Sequence, residues 1–317
     1  MKSVLVVGNG FDLALGFNTK YSDFVNTRVG NGRFWPFVDA PSNSWGNTSL
    51  HGHFFEFFEN NSNNDGNIHW IDIEGELFKY ARSKIGTIIP NGLLEQDRND
   101  WNNLKFWLYK FISRIVYETR KNPHENFINL MEAIRLNGNF KIAYSFNYTN
   151  LCNELSNYLN FSESELPKVI NIHGSTSNKE DPYNIVLGIT EDLTIPNEYH
   201  FLFKSEQTQS NDFIQDLATS DDILLYGLSL GETDFPYFRS FFEYVASLPL
   251  GSRKKYITIC TYGEESVLSI KNRIRAMGID LLTLQQKSYF AIIDMGNISL
   301  PGLDENNYNL LLSRLKN

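Results

Sequence analysis

Four stretches of the 317-residue chain set a reactive or ligand-binding side chain directly after a short apolar run. Val4-Leu-Val-Val7 ends at Gly8-Asn-Gly10, with Asp12 just beyond. A glycine pair there lets the backbone turn tightly and leaves N–H groups to meet a phosphate. Asp12 either caps a helix or holds ribose hydroxyls. Lys141-Ile-Ala-Tyr-Ser145 leads to Asn147, whose amide orients a water or a sugar hydroxyl without carrying charge, or else caps a helix from Thr149. Val169-Ile-Asn-Ile172 leads to His173-Gly174, an imidazole placed for proton transfer near neutral pH or for a structural hydrogen bond. Ile223-Leu-Leu-Tyr226 leads to Gly227-Leu-Ser-Leu-Gly231, followed by Glu232 and Asp234.

Several chemistries fail on their own requirements. The dinucleotide fingerprint of dehydrogenases needs a third glycine where Leu13 stands, and an acidic residue ending a second strand about 20 residues on. Gly227-x-Ser229-x-Gly231 matches the nucleophile elbow of α/β-hydrolases, but that triad needs a later histidine and none follows His200. Asp72, Glu74 and Glu76 form an acidic row, yet residues two apart on a helix do not share a face, so a solvated first turn is expected rather than a metal site. His51, His53 and His69 lack a ligand spacing, and no metal is expected.

The net charge of −9 argues against a broad nucleic-acid footprint, which needs clustered Lys and Arg. The apolar run at the start is too short for a signal peptide, and no run approaches the ~18 residues of a membrane span. Cys152 and Cys260 form no paired motif, and two such thiols fit the reducing cytoplasm.

The elements that must position these side chains follow from periodicity. Besides the four runs above, Ile185-Val-Leu187, Tyr256-Ile-Thr-Ile259 and Tyr289-Phe-Ala-Ile-Ile293 read as strands. Helical patterns over 151–159, 209–218, 237–247 and 265–276 alternate with them, which gives an α/β fold with a Rossmann-like parallel sheet. Between the first strand and the rest, 73–85, 101–119 and 126–136 carry apolar residues three and four apart. The expected organisation is a Rossmann-like domain of 1–24 and 139–317, with a mostly helical insertion at 25–138 after the first strand.

The order of the motifs resembles the bacteriophage abortive-infection AbiH family. The matching stretches are Gly8-Asn-Gly-Phe-Asp-Leu-Ala14 with Gly16, Thr19-Lys-Tyr-Ser-Asp-Phe24, Trp70-Ile-Asp-Ile-Glu74, Ser145-Phe-Asn-Tyr-Thr149, Ile172-His-Gly174 and Tyr226-Gly-Leu-Ser-Leu-Gly-Glu-Thr-Asp234. More remotely, the same order is similar to sirtuin-like NAD-binding domains, with Gly8 and Gly10 at the phosphate loop, Asn147 at the catalytic asparagine and His173 at the histidine. The resemblance implies an antiphage protein whose pocket takes NAD or a related nucleotide as substrate or ligand, with no other cofactor required. Asn147 and His173 would be catalytic in an NAD glycohydrolase. Gly8, Asn9, Gly10 and Phe11 would line the pyrophosphate, with Asp12, Tyr21, Gly227, Ser229 and Asp234 as further contacts. A non-catalytic nucleotide sensor is the alternative, followed by a metal-dependent nuclease using Asp72 and Glu74. Leu15 and Leu228 stand where AbiH proteins carry histidines, Phe146 stands where sirtuins carry glutamine, and the zinc cysteines of deacetylases are absent. The aromatic-rich insertion is a candidate for a homo-oligomer interface or a lid.

Overall fold

The computed structural model describes residues 2–26, 28–29, 33–34, 73–118, 123–177, 181, 183–207 and 212–316; His51, His53, His69 and Asp72 lie outside them. The chain forms two compact units, one of Met1–Phe17, Val116–Ser177 and Ser210–Asn317, the other of Asn18–Ile115 and Asn178–Gln209.

The first unit is built on six parallel strands: β1 (Ser3–Val7), β2 (Phe140–Ser145), β3 (Lys168–Asn171), β4 (Asp222–Tyr226), β5 (Tyr256–Thr261) and β6 (Tyr289–Asp294). Their spatial order is β3-β2-β1-β4-β5-β6, the order of a doubly wound dinucleotide-binding sheet. The chain leaves β1 toward β2 and β3, then returns to β4 on β1's other side, so the connections diverge between β1 and β4. Register brings the strand ends level, with Val7 opposite Ser145 on one side and Tyr226 on the other, and Ser145 opposite Asn171. The central strands β1 and β4 are buried throughout, as their unbroken apolar runs require, whereas both ends of edge strand β3 are exposed.

Alternate residues serve opposite faces. Val4, Val6, Ile223, Leu225, Ile257 and Ile259 join one hydrophobic cluster with Phe213 of α7 (Phe213–Thr219), Phe238, Phe241 and Phe242 of α8 (Phe235–Ser247) and Ile270 of α9 (Glu264–Ala276). On the other face Tyr226 meets Phe127 of α5 (Glu125–Asn137), whose ring also meets Phe11 of α1 (Asn9–Leu15), at centroid distances of 5.2 Å each. Each fully buried phenylalanine contributes on the order of 1.5–3 kcal/mol relative to exposure. Helix α6 (Leu151–Leu159) starts at Asn150, whose side chain accepts from the N–H of Asn153, and α10 (Leu281–Lys287) starts at Asp280 in the same way. Helix α11 (Leu303–Lys316) closes the unit, with Tyr308 Oη donating to the carbonyl of Asn126.

The second unit contains α2 (Tyr21–Asn26), α3 (Ile73–Arg82) and most of α4 (Asn91–Glu118), with 3-10 turns at Asn197–Leu202 and Lys204–Glu206. Phe24 packs on Phe111, and Leu77, Leu104, Leu108 and Ile112 are buried. The run Ile185–Leu187, expected as a strand, is buried but forms no ladder. Gln207 takes the ladder's place: its Oε1 accepts from Leu187 N–H, and its Nε2 donates to Leu187 O beside Trp101 Nε1.

Candidate functional site

The loops after β1 and β4 touch backbone to backbone. Gly8 N–H donates to Tyr226 O (2.9 Å), Gly10 N–H to Gly227 O (2.8 Å) and Phe11 N–H to Gly8 O (2.8 Å). A Cβ on Gly10 would stand 2.5 Å from Gly227 Cα, and Gly227 has φ +66°. The two glycines are therefore required by the approach of one main chain to another. The expectation that the N–H groups of this loop await a phosphate is corrected for Gly8, Gly10 and Phe11, whose donors are engaged within the fold. The Phe11 ring, expected along a pyrophosphate, is fully buried against Phe127 and Tyr226. Asn9 is the exposed residue of the turn.

Beneath this loop lies a polar cluster. Asn147 follows β2 by two residues and is 5% exposed; its Nδ2 donates to Asp12 Oδ1 (2.7 Å) and to the carbonyl of Gly8 (3.0 Å). Asp12 is 1% exposed and also accepts from Thr149 Oγ1 (3.0 Å). Neither side chain caps a helix: Asn150, not Asn147, caps α6, and Asp12 lies within α1 with its carboxylate turned inward. Glu154 of α6 is equally buried, and burial first, then the charge of Asp12, push its carboxyl well above the usual range against the opposing pull of the Thr149 hydroxyl. That shift favours the protonated form of Glu154. Sequence spacing gave no sign of it, because Asp12 and Glu154 meet only through the adjacency of β1 and β2. Thr149 was visible within Ser145-Phe-Asn-Tyr-Thr149 but carried no role.

His173 follows β3 by the same two residues and is 6% exposed. Its Nε2 lies 3.6 Å from Asp234 Oδ1, at the turn before α8. Phe146 sets its ring 5.2 Å from the imidazole, edge to face, and packs on Phe238, so this apolar side chain forms a wall beside the histidine. Thr176 N–H donates to Tyr148 O, tying the loops after β2 and β3 together. In the loop after β4, Leu228 and Leu230 are buried while Ser229 is exposed, its carbonyl accepting from Arg273 Nη1 at 2.7 Å. Leu230 has φ +52°, a costly conformation for a branched side chain that packing holds in place. Leu15 and Leu228 are each 3% exposed, so both fill core rather than line an opening. Tyr21 is the first residue of α2 and belongs to the second unit.

In that second unit, Glu74 is not the solvated acid expected: it is buried and paired with the buried ammonium of Lys204 at 2.9 Å. Glu76 pairs with Lys79 one turn on. Among the described residues no cluster of three or more His, Cys, Asp or Glu is arranged to hold a metal.

Four consecutive strand ends thus deliver Asp12, Asn147, His173 and Asp234, each held by a contact to a neighbouring loop. The family model for bacteriophage abortive infection, AbiH, matches residues 4–248, from β1 through α8. The chain belongs to the AbiH family. That membership places it in antiphage abortive infection, and the matched span holds all four strand ends. No curated protein matches the chain. No helix among the described residues of this AbiH chain is long and apolar enough to cross a membrane.

Proposed function

We propose that the protein acts in abortive infection by binding NAD at the strand ends of the first unit and cleaving its N-glycosidic bond. The observation that carries this reading is the arrangement of Asn147 and His173, each two residues beyond its strand on neighbouring, level strands, beside the point where the connections diverge. Such crevices are where open α/β sheets take their ligands.

In the proposed reaction the bond from C1′ to the pyridine nitrogen breaks, and nicotinamide leaves neutral with the electron pair. A water oxygen bonds to C1′ through an oxocarbenium-like state. With its nitrogen bound to Asp12 and Gly8, Asn147 offers Oδ1 to accept a hydrogen bond from that water or from a ribose hydroxyl. His173 takes one of the water's two protons and passes it to solvent, the other staying on the new C1′ hydroxyl, and the Asp234 carboxylate favours the imidazolium while it lasts. The site's main contribution is placement, since the leaving group needs no acid.

The test is mass-resolved product analysis after incubating the purified protein with NAD. Nicotinamide and ADP-ribose are expected from the wild type, with losses of about 100-fold or more for Asn147→Ala and His173→Ala proteins that retain the wild-type fold by circular dichroism. A folded Asn147→Ala protein with full turnover would overturn the assignment. A second reading, nucleotide sensing without turnover, is favoured by the buried Leu15 and Leu228 at family histidine positions. Thermal stabilisation by NAD with no product would establish it instead.

A further inference from the structure

We infer that Asp12 is a positioning residue, which fixes the amide of Asn147 with its nitrogen toward Asp12 and Gly8 and so leaves its oxygen as the group offered to a ligand. An unconstrained asparagine amide has two orientations of similar energy, and they offer a ligand opposite groups: two donors or one acceptor. Here the choice is enforced twice on one side. Asp12 Oδ1 accepts from Asn147 Nδ2 at 2.7 Å, a charge-assisted bond in a site only 1% exposed, and the Gly8 carbonyl accepts from the same nitrogen at 3.0 Å. A flipped amide would set its oxygen against a carboxylate and a carbonyl, two acceptors with no proton between them.

The environment of Asp12 keeps it in that role. Thr149 Oγ1 donates to the same oxygen, Oδ1, at 3.0 Å, and Glu154 packs against Asp12 in the same buried cluster. Two ionised carboxylates buried together would repel, and burial with the charge of Asp12 raises the Glu154 carboxyl toward its protonated form, which eases that repulsion beside the amide-facing Asp12. Asp12 does not touch the reacting atoms; it acts through Asn147. The consequence for turnover rests on the NAD-cleaving reading above, whereas the orientation itself does not.

The experiment therefore has two readouts on Asp12→Ala, Asp12→Asn and Thr149→Val. The first is kcat and KM for NAD. Asp12→Ala should lower kcat about 100-fold with KM nearly unchanged, because the substrate still binds while the acceptor is misplaced. Asp12→Asn, which keeps an acceptor but not the charge, should recover part of that loss. The second readout is the side-chain NH2 of Asn147 in 15N-resolved NMR, identified by its disappearance in Asn147→Ala. It should exchange slowly in the wild type and at least about tenfold faster in Asp12→Ala, with a smaller change in Asp12→Asn and little in Thr149→Val. Unchanged exchange in a folded Asp12→Ala protein overturns the inference, as does Thr149→Val accelerating exchange as much as Asp12→Ala. If Asp12→Ala does not fold, unchanged exchange in Asp12→Asn overturns it equally. A wild type that holds the amide through Asp12 yet releases no nicotinamide would refute NAD cleavage and leave the positioning role standing.

Discussion

Each unit holds a buried carboxylate cluster, and the Asp97 and Asp12 clusters are compensated on different terms. In the second unit Asp97 is fully buried and accepts from two phenols, Tyr80 Oη at 3.0 and 2.9 Å and Tyr199 Oη at 2.5 Å. Burial first, and Asp97 second, raise both tyrosines above the usual phenol range, so they remain donors. Glu74 there is matched charge for charge by Lys204. In the first unit Asp12 and Glu154 are as deeply buried; Asp12 accepts from the Asn147 amide and the Thr149 hydroxyl, while burial and the charge of Asp12 push Glu154 toward its protonated form. A cluster compensated by counter-charge and phenols stabilises a fold. A cluster whose carboxylate is held by an amide also fixes the direction of that amide.

That contrast can be broken or sharpened by substitution. The largest effect is expected in the second unit: Lys204→Met strips the buried Glu74 of its ammonium and should cost about 3–5 kcal/mol in denaturant titration. The double variant Glu74→Gln, Lys204→Met should recover most of it, and a mild single variant would mean that the pair is solvated. Next comes Tyr199→Phe, which removes one donor from Asp97 and should cost about 1.5–3 kcal/mol by the same measurement. The smallest effect belongs to the first unit and is a matter of sign. Glu154 titrates above its ordinary value of 4.5, so folding binds a proton between that value and the raised one, and wild-type stability must fall as pH rises through the window. Glu154→Gln has no proton to lose. Its melting temperature should hold better than the wild type's as the pH rises above about 5, and parallel curves for the two proteins would refute a raised Glu154 carboxyl.

The sheet was legible because its strands are short, mostly apolar runs, four of them followed within two residues by glycine, asparagine or histidine, and all six of the runs read in the first unit are strands. Ile185–Leu187 looks the same and is no strand, since Gln207 and Trp101 satisfy Leu187 with side chains, a solution that periodicity does not reveal. Helix α1 was hidden by Gly8-Asn-Gly10, which reads as a turn although the helix already begins at Asn9. The placing of Asn147 and His173 at strand ends followed from local pattern. Their supports did not, because Asp12 lies 135 residues from Asn147, and only strand order joins them. The glycines illustrate the same limit: spacing marks where a backbone must come close, but not whether it approaches a phosphate or, as Gly10 and Gly227 do, another backbone.

The position of β1 has a consequence for the protein's birth. It is the first strand to leave the ribosome, yet its partners are Phe140–Ser145 and Asp222–Tyr226. At about 5–20 residues per second, roughly 10–40 s pass before the second partner has been made. Until then the Gly8–Phe11 turn has no Gly227 to close against, and the crevice between β1 and β4 does not exist. If the finished molecule consumes a metabolite that its own host needs, every nascent copy is harmless by construction. The same delay leaves the apolar run 4–7 unpaired, which ties the yield of folded protein to whatever shields that segment during translation.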